Sequence, residues 1–167
     1  MKNVISEPTA RRWYIAQWPL LAWLETIIKL VALVIGVAAL VGALSEGVFA
    51  LPEGVRLAQV IVLAVLSLGL VAAIFDRLAE REVIAMIFVI VNNLGHWGTV
   101  VALTAPATPD WVPAAFCALM LVGDLVKLTF IRIHRFQVRD LPRAALYGLT
   151  LVYVAGYALI LILELAR

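Results

Sequence analysis

The sequence predicts an all-α fold, a polytopic integral membrane helix bundle of five transmembrane helices preceded by an amphipathic, interfacial amino-terminal segment. Three observations lead there. Apolar stretches fill residues 26–50, 57–75, 83–103, 112–131 and 144–163, each close to the 20 or so residues a helix needs to cross roughly 30 Å of hydrocarbon. Hydrophobic residues make up 65% of the chain and charged residues 14%, against about 25% charged in a soluble domain. Lysine and arginine are also sorted by side. With five crossings, Lys2, Arg11, Arg12, Lys29, Arg77, Arg81, Lys127, Arg132, Arg135, Arg139 and Arg143 share one side, and Arg56 and Arg167 fall opposite. Such an excess marks the cytoplasmic flank, so the amino terminus is expected inside and the carboxyl terminus outside.

Residues 1–167 read as a single transmembrane domain, because no connection between spans is long enough for a folded soluble unit. The polar start and the length of the first apolar run argue against a cleavable signal, so the first span is expected to remain as an anchor. Ahead of it, Trp13, Trp18 and Trp23 with Tyr14 form an interfacial belt at headgroup depth. Pro19 suits the first turn of a helix, so one helix is expected from about that point into the first span. Within it Glu25 and Lys29 stand one turn apart and should pair near the inner interface. A version with four spans and a surface-lying amino-terminal segment is disfavoured by the unbroken apolar run 30–44.

Small residues then set the expected helix contacts. Gly36, Ala39, Ala43 and the Ala38-to-Gly42 step in the first span, and Gly69 with Ala73 in the second, let backbones approach where lipid supplies no hydrophobic driving force, either inside the bundle or against another subunit. The third span carries the polar passage Asn92, Asn93, Gly95, His96 and Thr99, which should face protein or a water-filled cavity. The fourth carries Asp124 and Lys127 three residues apart, with the single cysteine, Cys117, above them. After it comes the basic loop, with Arg132, Arg135, Arg139 and Arg143 placed to meet anionic lipid headgroups or an acidic partner surface. The fifth span aligns Thr150, Tyr153, Tyr157 and Glu164 on one stripe, and Glu164 is expected to reach solvent at the far interface.

At about 1.5 Å per residue, Asn92, Asn93, Asp124 and Tyr153 lie roughly 11–15 Å from the cytoplasmic ends, and His96 roughly 20 Å. A shared polar layer follows. An ionised carboxylate at bilayer depth costs about 2.5–3.5 kcal/mol on insertion scales, so Asp124 is the residue to explain. Its structural reading is a pair with Lys127, or a protonated acid, completed by Asn92, Asn93 and Tyr153. Its functional reading is a proton or ion relay with His96.

No metal or cofactor is expected. The two histidines, His96 and His134, sit at different levels, and His96 with Cys117 falls short of a four-ligand site. No hydrolase, zincin or phosphate-loop motif is present, so no catalytic residue is assigned, and the basic loop shows no nucleic-acid pattern beyond charge. The architecture therefore points to a small non-catalytic accessory or scaffold subunit of a larger membrane complex, in a bacterial inner membrane. Its expected partners are the bilayer and other membrane subunits or further copies of itself. The alternative is a small transporter or ion- or proton-conducting protein built on the layer around Asp124, with an intramembrane enzyme third.

Overall fold

The computed structural model describes residues 18–79, 83–135 and 142–166. Five helices follow one another: α1 (Leu20–Glu46), α2 (Gly54–Ala79), α3 (Val83–Leu103), α4 (Trp111–His134) and α5 (Arg143–Leu165). All five are long and apolar enough to cross a membrane, and the chain is an integral membrane helix bundle.

Most helices overrun the apolar stretches that predict them. α1 starts at Leu20, six residues before the expected span, with Pro19 as its cap. Continuing the helix through the interface keeps backbone groups paired where water is scarce. The same helix ends early. Gly47 adopts a left-handed conformation (φ 67°) and returns its N–H to the carbonyl of Ala43, so residues 47–50, expected in the span, are not helical. Ala50 N–H instead donates to Thr104 O at 2.8 Å, tying the end of the α1–α2 connection to the end of α3.

The helices close into a ring. α1 packs on α3 and α4, α2 on α3 and α5, and α4 on α5, with a narrow contact between α3 and α4. The order around the ring is therefore α1, α3, α2, α5, α4. Its core takes side chains from every helix, among them Ala32, Leu63, Leu103, Phe116, Met120, Tyr157 and Ile160. Outward faces are apolar: Val34, Val41, Val65, Val152 and Ile162 are each more than half exposed, as a lipid-facing surface requires.

The small residues divide between the two environments. Gly36 of α1 meets Gly95 and Gly98 of α3 backbone to backbone, with no room for a methyl group between them. Ala32 and Ala43 are buried along the same helix. Ala38 and Gly42 face outward, and a Cβ at Gly42 would meet nothing within 4 Å among the described residues. At the interface, Trp18 stacks against Trp23 (5.5 Å between centroids) and Phe88 (5.4 Å), which fixes α1 to α3 at its entry. Trp13 lies outside the described residues.

Candidate functional site

Asp124 sits on the buried face of α4, one residue after Gly123. Its ion-pair partner is Lys29 of α1, at 2.5 Å, and not its sequence neighbour Lys127. Lys29 also bonds Glu25 at 2.9 Å, the one-turn pair expected from spacing. The cross-helix partner depends on a glycine. A Cβ at Gly123 would lie 3.1 Å from Cγ and 3.2 Å from Cε of Lys29, so the absent side chain leaves a channel for the lysine stem to reach the carboxylate. The three side chains are 15% (Lys29), 18% (Glu25) and 5% (Asp124) exposed. Asp124 is thus the inner partner, and lysine spans from it toward the interface.

His96, on α3, is fully buried on the inside of the ring. One ring nitrogen, Nδ1, lies 2.9 Å from the carbonyl oxygen of Asn92, and the other, Nε2, lies 2.6 Å from the hydroxyl of Tyr157 on α5. A carbonyl only accepts, so Nδ1 carries the proton and Nε2 accepts from Tyr157. The ring stands edge-on to Phe116 of α4 at 5.1 Å. This contact joins helices lying across the ring from each other. The two imidazole nitrogens are engaged by Asn92 on the same helix and by Tyr157 on α5.

Tyr153, one turn before Tyr157, donates its hydroxyl to Leu66 O of α2 at 3.0 Å. Again a glycine makes the space, since a Cβ at Gly69 would sit 2.6 Å from that hydroxyl. Asn93 is buried, and its Oδ1 has no hydrogen-bond partner among the described residues. Asn92 is half-buried and contributes its backbone carbonyl. The expected single layer of Asn92, Asn93, Asp124 and Tyr153 is therefore three hydrogen-bonded units: Glu25–Lys29–Asp124, His96–Tyr157 and Tyr153–Leu66.

At the other end of the bundle two ties went unforeseen. Gln59 of α2, fully buried, donates to Glu164 of α5 at 2.6 Å, and Glu164 itself is half-buried near the end of its helix. Arg56 donates to Thr108 O at 2.5 Å and pairs with Asp110 at 3.3 Å, bracing the α3–α4 turn. A glutamine one turn from an arginine at the head of an apolar run was the available signal for both.

Of the basic residues, Arg132 and Arg143 are exposed and line one depression with Tyr147. Arg135 is exposed as the left-handed cap of α4 (φ 49°). Arg139 lies outside the described residues. No protein-family model matches this chain, and neither a curated protein nor a solved structure does.

Proposed function

We propose that this chain is a non-catalytic subunit that serves a larger membrane complex as an accessory or scaffold, presenting rigid helix faces to its neighbours. The observation that carries the reading is the Lys29–Asp124 pair. A carboxylate inside a membrane helix is by default a functional group, but here a lysine threaded over Gly123 neutralises it within the bundle and ties α4 to α1. His96 and Tyr153 are likewise committed to helix-to-helix bonds. Polar groups used this way hold a bundle in one arrangement, and what then remains for function is the outer surface.

On the basis of the lysine and arginine bias, the bundle sits with its amino terminus inside, in a bacterial inner membrane. Extraction of native membranes in a mild detergent tests the proposal. A stable particle containing other polypeptides is expected, and a monodisperse monomer would count against it.

The second reading, a small ion- or proton-conducting protein, draws on Asn93 Oδ1, which has no hydrogen-bond partner among the described residues, and on the two carboxyl groups set against one lysine in the Glu25–Lys29–Asp124 group. Purified protein in liposomes discriminates. A proton or cation flux abolished by Asp124→Asn favours conduction, and equal leak with and without protein favours the subunit.

A further inference from the structure

Helices α4 and α5 meet at the end of the bundle that carries Arg132, Arg135 and Arg143. Their junction leaves two adjoining depressions on the outer surface. One, of about 420 Å³, is lined by Arg132, Arg143 and Tyr147 together with the first turn of α5 at Ala144. The other, of about 430 Å³, is lined by Leu125, Leu128 and Ile133. Arg132 and Tyr147 border both, so the two form one groove with a cationic compartment and an apolar one.

The gradient of chemistry follows the gradient of the membrane. Arg132 lies seven residues beyond Leu125 on the same helix, about 10 Å along its axis at 1.5 Å per residue. That is the distance from a headgroup to the upper part of an acyl chain. Both guanidiniums are exposed, and neither has an ion-pair partner among the described residues. Guanidinium forks match phosphate oxygens in charge and geometry. The start of α5, whose cap Pro142 makes no side-chain hydrogen bond, adds backbone N–H groups with no acceptor within the helix and the positive end of its dipole at the same place.

We propose that the α4–α5 groove binds one anionic phospholipid, with its phosphate between Arg132 and Arg143 and an acyl chain over Leu125 and Leu128. Charge and shape select this occupant. A free phosphate would have no use for the apolar compartment. A zwitterionic lipid would bring an ammonium group into a site that already holds two positive charges and has the exposed Arg135 nearby.

The site stands apart from the subunit reading, since it concerns the protein with lipid alone, and purified full-length chain tests it. In native mass spectrometry, phosphatidylglycerol should be retained at one molecule per chain and at least tenfold more tightly than phosphatidylcholine with the same acyl chains. Arg132→Gln with Arg143→Gln should remove that preference, while Arg56→Gln at the opposite end should keep it. Equal retention of the two lipids would overturn the proposal, as would an unaltered preference in the double variant. Displacement by water-soluble glycerol phosphate at comparable concentration would also overturn it, in favour of a soluble phosphate ligand. Should the double variant fail to fold, a photoactivatable phosphatidylglycerol on the unaltered chain decides. Labelling should fall on the peptides around Leu128 and Tyr147, and labelling confined to other helices would refute the assignment.

Discussion

The crossing of α1 and α3 supplies the sharpest mechanical prediction. At Gly36 a methyl group would overlap the carbonyl oxygen of Gly95 and come within 3.0 Å of its Cα. A methyl group at Gly98 would lie 2.5 Å from Gly36 O. Backbone cannot rotate away as a side chain does, so the helices must separate, losing close contacts along the crossing. Overpacking of this kind costs about 1–3 kcal/mol. Alanine recovers up to about 1 kcal/mol relative to glycine through helix propensity. The net expectation for Gly36→Ala is a loss of roughly 1–2 kcal/mol. Gly42→Ala is the matched control on the same helix. Its Cβ would meet none of the described residues, so only the propensity gain remains, about 0.5–1 kcal/mol. The two variants should move the midpoint of reversible unfolding by sodium dodecyl sulfate, followed by far-ultraviolet circular dichroism, in opposite directions. Shifts of the same sign and size would refute the backbone-to-backbone crossing.

Other sites make comparable commitments. Gly69→Ala should destabilise by about 1–2 kcal/mol through its clash with the Tyr153 hydroxyl, and in a Tyr153→Phe background that cost should vanish; thermal unfolding of the four chains of the cycle reads it. Tyr157→Phe removes the donor to His96 Nε2 and should lower stability by about 0.6–2 kcal/mol, measured by the same denaturation, with helix content unchanged. Arg56→Ala, which removes the donor to the carbonyl of buried Thr108 and one partner of Asp110, should lower global stability by about 0.5–1.5 kcal/mol and speed hydrogen exchange in the α3–α4 turn.

The helices were legible because hydrophobic length is a one-dimensional property. Runs of apolar residues located all five, and the α3 bounds agree with those expected. The early stop of α1 was harder to see, because residues 47–50 are as apolar as the helix and only the left-handed Gly47 ends it. Within the site, spacing along one helix found Glu25–Lys29 and proposed Asp124–Lys127 by the same logic. The first holds and the second gives way to Lys29, since ring order, which periodicity does not encode, brings α1 against α4. Tyr157 stood on the predicted stripe without a role, and its partner is on a helix across the ring. Gln59 was overlooked because one amide hardly alters the hydropathy of α2.

The claim that the intramembrane charges are structural ties can be tested by removing them together. A buried ion pair broken on one side typically costs about 3–5 kcal/mol, whereas replacing both members by apolar residues of similar volume is often neutral. Asp124→Leu alone leaves Lys29 with Glu25 on one side and an apolar neighbour in place of its inner partner. Lys29→Met with Asp124→Leu leaves none of that pair, and of the group only Glu25, the most exposed of the three and nearest the interface. The measurement is assembly in native membranes, read as the size and composition of the particle released by mild detergent. The account predicts that the single variant is depleted and that the double variant returns to the particle of the unaltered chain. A double variant that folds and inserts yet fails to support assembly or function would contradict it, and would return Asp124 to the role of a working group.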